Sequence, residues 1–209
     1  MEFVSEFRDK ELAEGLVRAI GRAMKALERP VSIMEVCGTH TWSIARYGIR
    51  SLLPPGLRLL SGPGCPVCVT PRKYIDGAIA LARQEGVILT TFGDLLRVPG
   101  SSSSLEKERA KNSDIRPVYS PLEALKVAMD HPESRVIFLG IGFETTASTV
   151  AASLLEARDR KIGNYLIYSA HKRIPPVLTS LALSPDLSLD GFLCPPHVSS
   201  TIGTRFYDF

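Results

Sequence analysis

The chain has no large surplus of either charge. Its 25 lysines and arginines stand against 22 aspartates and glutamates, and a formal net charge of +3 is small for 209 residues. The basic residues are dispersed among acids and no charged tail stands out, which argues against a nucleic-acid-binding tract. Cysteine is scarce as well. Four in a chain this large are too few for a secreted disulfide scaffold, and in a reducing compartment a close pair points to metal or redox chemistry. No long apolar run is present, since the longest, Val136 to Gly142, is too short to span a bilayer, and the first ten residues have no apolar core of the signal-peptide type. A cytoplasmic protein that touches neither membrane nor nucleic acid is the expectation. With 44% hydrophobic and 22% charged residues the chain is also not disordered, and it is long enough for one large core or two small ones.

What is present centres on Gly62-Pro63-Gly64-Cys65-Pro66-Val67-Cys68-Val69-Thr70-Pro71, with two thiols three apart between a glycine-proline turn and a helix start. Thr70 suits the N-cap and Pro71 the first helical position, so the spacing of Ile75, Ile79 and Ala82 predicts the helix that follows. The partial positive charge of that N-terminus, with Arg72 and Lys73 on its first turn, favours thiolate over thiol. Pro66 limits backbone freedom between the two cysteines and keeps the sulfurs near each other. Such a pair fits a redox disulfide, half of a metal site, or neither.

Residues 5 to 28 carry Leu12, Leu16, Ile20 and Leu27 at helical spacing and predict an amphipathic helix, stopped by Glu28-Arg29-Pro30. Val31 to Val36 reads as a strand running into Cys37-Gly38-Thr39-His40, followed by a helix over Trp42 to Leu52. Leu57 to Ser61 is a strand, Pro71 to Gln84 a helix, and Gly86 to Phe92 a strand ending in Gly93-Asp94. Between Val98 and Pro117 the pattern fails, because the serine run and the charged run Glu106 to Lys111 offer no apolar face; a mobile loop or linker is expected. Ser120-Pro121-Leu122-Glu123 is a capping box opening a helix to about His131. Strands over Arg135 to Gly140, Tyr165 to Tyr168 and Gly191 to Leu193 follow, with an alanine-rich helix to Ala157 after the first of them. Short apolar strands alternating with helices predict an α/β fold of parallel sheets covered on both faces. The expected layout is an N-terminal helix over 1–30 and two small parallel-sheet α/β units over 31–117 and 118–209. These units would face a shared cleft at the carboxyl ends of their strands.

Cys37-x-x-His40 and Cys65-x-x-Cys68 supply three sulfurs and an imidazole at ligand-like spacing from neighbouring strand ends. Thr39 could cap the helix after Cys37. A closed zinc site of three cysteines and one histidine fits this set, and so does one thiolate beside a dithiol with an open position for iron. Asp94 and Glu144 each follow a strand end, as first-turn helix acids or as cleft residues that orient a ligand or relay protons. Gly140-x-Gly142 lacks the third glycine of a nucleotide fingerprint. His171 and His197 read as hydrogen-bonded structural residues, Cys194 as core, and Trp42, Tyr47 and Tyr74 as ordinary residues of helix faces.

Several stretches together closely resemble the HypD family of [NiFe]-hydrogenase maturation factors. They are Met34-Glu35-Val36-Cys37-Gly38-Thr39-His40-Thr41, Gly62-Pro63-Gly64-Cys65-Pro66-Val67-Cys68, Thr91-Phe92-Gly93-Asp94, Gly142-Phe143-Glu144-Thr145-Thr146 and His197-Val198-Ser199. The resemblance runs from about residue 30 to the end. It implies a scaffold, not a turnover enzyme, on which iron carrying cyanide and carbon monoxide, the Fe(CN)2CO group, is assembled with a HypC-like chaperone and a cyanide-supplying HypE-like protein. By the same resemblance Cys37 holds the iron jointly with a HypC cysteine, with His40 close by. Cys65 and Cys68 form a thiol-disulfide couple that passes electrons, and Asp94 and Glu144 line the same cleft. Three departures stand out. Family members continue into a region bearing a [4Fe-4S] cluster, which is therefore not expected in this chain. Ser148 stands where the family has proline, and Pro196 where it has glycine.

Overall fold

A computed structural model describes residues 8–208. The expected helix start at residue 5 and the closing Phe209 lie outside them. Along the chain come α1 (Lys10–Leu27), β1 (Val31–Glu35), α2 (Gly38–Arg46), α3 (Ile49–Leu52), β2 (Leu57–Ser61) and α4 (Arg72–Ala82). Next are β3 (Val87–Thr91), a 3-10 turn (Gly93–Arg97), α5 (Leu105–Arg109), β4 (Ile115–Pro117), α6 (Pro121–Asp130) and β5 (Arg135–Gly140). The last are α7 (Glu144–Asp159), β6 (Tyr165–Ser169), α8 (Ile174–Ala182), β7 (Gly191–Leu193), α9 (Pro196–Ile202) and a 3-10 turn (Arg205–Tyr207). The α/β alternation predicted from apolar spacing is present, and every strand pair is parallel. α1 is amphipathic as expected, with Asp9 accepting from the Leu12 N–H at 2.9 Å as its N-cap.

Two sheets divide the strands, β2-β1-β7 and β4-β3-β5-β6. The chain forms two compact units, Met1–Cys65 with Leu178–Pro196, and Pro66–Val177 with His197–Phe209. The expected boundary after residue 117 is corrected by the strand pairing. β3 bonds directly to β5, from Val87↔Arg135 to Thr90↔Phe138, so strands on both sides of residue 117 share one sheet. In the other sheet the late strand β7 lies beside β1, with Ile33↔Gly191 and Glu35↔Leu193. Asp190 secures that return. Its carboxylate accepts from Arg29 at 2.5 Å and from the Ser32 N–H at 2.8 Å, while its own N–H donates to Ser32 O.

The four-stranded sheet is covered on both faces, and the alternation of its strands sorts the cores. Val87, Leu89, Ile137 and Leu139 pack with Tyr74, Ile75, Ile79 and Leu105, whereas Ile88, Val136 and Phe138 pack with Leu125, Val150 and Ala157. Burying each such side chain stabilises the fold by roughly 1.5–3 kcal/mol, and it holds the strand ends where the polar loops begin.

Three local expectations change. The helix predicted over Trp42 to Leu52 starts earlier, at Gly38, and breaks into α2 and α3 at Gly48, whose φ of +61° suits glycine. Thr39 lies within α2, and the N-cap residue is Cys37 itself. The segment from Val98 to Pro117, expected to be a mobile linker, is tied down by polar side chains instead of an apolar face. Ser101 donates from its N–H and hydroxyl to Asp76, Ser104 caps α5, and Leu105 is buried. Glu108, also buried, accepts from Arg83 through two bonds of 2.6 and 2.9 Å, from Lys111 at 3.2 Å and from the Ser103 hydroxyl.

These bonds, led by Arg83, hold the Glu108 carboxyl well below the usual glutamate value of 4.5. The unfolded chain therefore takes up the proton first as pH falls, and stability present above pH 4.5 is lost on acidification. Glu108→Gln is expected to lower the melting temperature at pH 7 and to flatten its decline below pH 4.5; an unchanged acid limb would assign that decline to other carboxylates.

Candidate functional site

The first unit carries the expected iron-holding residue. β1 delivers Cys37 as the residue at the N-cap of α2, with extended backbone and the side chain buried. The Gly38 N–H donates to Gly64 O at 3.0 Å, which lays the Cys37-Gly38-Thr39-His40 loop against the loop that leads into Cys65. The approach is as close as backbone permits: a Cβ on Gly64 would stand 2.5 Å from Gly38 N and 3.0 Å from Cys37 C. Gly62 is similarly confined, with its N–H bonded to Glu35 O at 2.9 Å. Glycines at 62 and 64 thus let two strand-end loops meet, and Cys37 and Cys65 flank the meeting point.

Beneath it lies Glu35, a residue that sequence reasoning passed over. It is 0% exposed, and its Oε1 accepts from Arg50 at 2.6 Å and from the Ser61 hydroxyl at 3.1 Å, so one carboxylate joins β1, β2 and α3. Its Oε2, and Nδ1 of the half-buried His40, are buried without a hydrogen-bond partner among the described residues. An acid inside the apolar run Val31 to Val36 was the available signal, because a charge is buried there only if it is paired.

The Cys65-Pro66-Val67-Cys68 segment leaves this unit, with Cys65 closing the first of its two stretches and Cys68 in the second unit. Thr70, expected as the N-cap of α4, instead donates its hydroxyl to Pro66 O at 2.7 Å and closes the turn; Pro71 occupies the N-cap position, without a side-chain cap. Val67 packs on the core of the second unit. Cys65 is half-buried and Cys68 exposed, so the pair is open to a reaction partner. Cys194, expected in the core, is only half-buried at the end of β7, and burial raises its thiol pKa.

In the second unit the strand order reverses direction at β3 and β5, and crevices for ligands open outside such carboxyl ends. Asp94 sits beyond β3 and Glu144 beyond β5, which places these two expected residues on the loops of adjacent strands. Asp94 is exposed on the first turn of the 3-10 helix. Glu144 is a first-turn acid of α7, whose Oε1 accepts from the Ile174 N–H at 2.8 Å while Oε2 is buried without a partner among the described residues. The loop after β6 runs alongside, through Ala170 N–H to Gly140 O at 2.8 Å and Lys172 N–H to Gly142 O at 2.9 Å. His171, on that loop, shares a 2.9 Å bond between Nδ1 and the Ser169 hydroxyl, and burial lowers its pKa, favouring the neutral ring. Its Nε2 is likewise buried and unpartnered. His197 is exposed on α9, where Pro196 stands at the first helical position. Ser148 lies within α7 and donates to Thr145 O, so this departure falls in a helix rather than a turn.

Among the described residues no group of three or more Cys, His, Asp or Glu side chains converges as ligands for a metal ion. No helix among them is long and apolar enough to cross a membrane.

A family model described as HypD, hydrogenase formation hypA family, matches residues 11–209. The hydrogenase maturation factor HypD of Rhodobacter capsulatus is 46% identical over 213 residues, covering 100% of this chain and 56% of its own length. HypD of Escherichia coli (strain K12) is 44% identical over 213 residues, with 100% and 57% covered. A putative hydrogenase expression/formation protein, MJ0993 of Methanocaldococcus jannaschii, is 41% identical over 199 residues, with 95% and 55% covered. The chain thus spans a little over half the length of these relatives. Its two cysteine motifs, its strand-end acids and the family match across almost every residue agree, and the chain belongs to the HypD family of hydrogenase maturation factors.

Proposed function

We propose that the chain serves as an assembly scaffold for the Fe(CN)2CO group of [NiFe]-hydrogenase, an assembly factor with thiol redox chemistry rather than a turnover enzyme. The observation that carries this reading is the Gly38 N–H to Gly64 O bond, which brings the loops of Cys37 and Cys65 together. Iron is the cargo. The Cys37 sulfur holds it together with a cysteine of a HypC-like chaperone, and His40 stands three residues away on the same helix end. Cys65 and Cys68 supply two electrons when their thiols join as a disulfide and release two protons. Asp94 and Glu144 provide carboxylates at the strand ends of the second unit to accept protons or to orient the cargo. A HypE-like protein is the cyanide donor, and the cytoplasm is the setting. No step is assigned to a [4Fe-4S] cluster.

Thiol counting after mild oxidation tests the redox half of this reading. Cys65 and Cys68 are expected to lose reactivity together, with the mass of one disulfide, while Cys37 stays titratable once the chain is unfolded. Equal survival of all three thiols under oxidant would remove the dithiol role.

A further inference from the structure

Four buried side-chain atoms have no hydrogen-bond partner among the described residues, and they divide as one carboxylate oxygen and one imidazole nitrogen in each compact unit. In the second unit Glu144 Oε2 and His171 Nε2 come from the loops of different strands. In the first they flank Cys37: Oε2 of Glu35 lies two residues before it and Nδ1 of His40 three residues after. Side chains alternate along an extended strand, and Cys37 keeps extended backbone, so Glu35 and Cys37 share a face of β1. Cys37 is also the N-cap residue of α2, and His40 holds the third helical position, where the side chain turns back toward the cap. Glu35 is the one buried acid among the described residues of this unit. Its Oε1 is committed to Arg50 at 2.6 Å and to the Ser61 hydroxyl at 3.1 Å, which leaves Oε2 as the available acceptor. A buried acceptor and a buried ring nitrogen on either side of one cysteine call for a shared partner.

We propose that Glu35 is a positioning residue for His40: through one bridging water its Oε2 accepts the Nδ1 proton and fixes the imidazole as the tautomer whose Nε2 carries a lone pair for the iron cargo. This rests on the iron-holding function proposed above. A histidine that ligates a metal through one nitrogen characteristically donates its other N–H to a carboxylate or carbonyl, which sets both the tautomer and the ring orientation. A water that bridges two buried polar atoms satisfies both at once. The carboxylate is itself held, since Arg50 on α3 and Ser61 on β2 fix Oε1 from two directions. Glu35 touches no cargo in this arrangement and acts only through His40.

Nitrogen NMR of the iron-free chain, with isotope-labelled histidine, reads the tautomer directly, and His40→Gln identifies the His40 signals among those of the four histidines. In mildly alkaline buffer, where imidazoles are neutral, wild-type His40 is expected to carry its proton on Nδ1, slow to exchange with water. Glu35→Gln keeps the shape and inverts the chemistry. Arg50 and Ser61 claim the amide oxygen, so an NH2 group stands where Oε2 was and donates instead of accepting. The His40 proton is then expected on Nε2, the nitrogen left for iron, and the iron affinity of the complex with a HypC-like chaperone is expected to fall by about 10–100-fold. Ser61→Ala removes a bond to Oε1 alone and should lower the melting temperature while leaving the tautomer as in wild type. Should Glu35→Gln not fold, Glu35→Asp draws the carboxylate back from the ring, and the Nδ1 proton is expected to exchange faster. A wild-type His40 protonated on Nε2, a tautomer unmoved in folded Glu35→Gln, or equal proton protection in Glu35→Asp would overturn the positioning role and leave the iron reading standing. Retention of the iron group by a Cys37→Ala variant would remove the iron reading, and the purpose of the arrangement with it.

Discussion

Gly64→Ala is expected to destabilise the first unit by about 3 kcal/mol or more and to part the loops of Cys37 and Cys65. The new Cβ would stand 2.5 Å from Gly38 N and 3.0 Å from both Cys37 C and Gly38 Cα, all of them backbone atoms with no rotamer to yield. Overpacking of side chains costs about 1–3 kcal/mol and backbone overlap lies at or above the top of that range; loss of the Gly38 N–H to Gly64 O bond adds to it. Gly38→Ala is the control. Its Cβ would meet Gly64 O at 3.6 Å, an ordinary contact, and neither residue has a positive φ that would add strain. Urea unfolding of the two variants should therefore differ by most of the Gly64 cost. Equal stability would show that the two loops do not meet, and with that the observation supporting a joint thiol site would be gone.

The second large effect concerns the cargo. Cys37→Ala is expected to abolish retention of the iron group, read as loss of bound iron and of the cyanide and carbon monoxide infrared bands in the complex with a HypC-like chaperone. The fold should survive, since alanine at this buried position removes one sulfur and circular dichroism would report any wider loss. Cys194→Ala is the matched control, because this half-buried thiol has a raised pKa and is assigned no part in holding iron. Retained bands in Cys37→Ala, or their loss in Cys194→Ala, would move the iron away from Cys37.

Much of this protein is written locally. Apolar spacing of two and of three to four residues places many of the strands and helices within a few residues of their observed ends, as Arg135–Gly140 and Gly191–Leu193 illustrate, but α5 and β4 lie in the stretch expected to be a loop and α8 and α9 are not foreseen. Ser120 caps α6 through the Glu123 N–H, and the Glu123 carboxylate answers at Tyr119 N–H, because a capping box involves residues four apart at most. Polar anchoring is less visible. Glu108 lies in a run of charge that reads as solvated, and what buries it is Arg83, 25 residues earlier. Thr70 has the chemistry of a cap, yet its hydroxyl reaches Pro66 O, because Pro71 takes the cap position and the turn offers a nearer acceptor.

The sequence by itself determined the α/β class, the parallel strands, the cysteine motifs and the family, all of which rest on residue type and short spacing. Only the tertiary structure decided which strands share a sheet. The pairing of β1 with β7 and of β3 with β5 joins residues far apart in the chain, and no local period encodes such a partner. The contact of Gly38 with Gly64 and the bond of Ser61 to the buried Glu35 follow from the pairing of β1 with β2. Each depends on what the rest of the chain packs against the residue, a property its own neighbours in sequence do not carry.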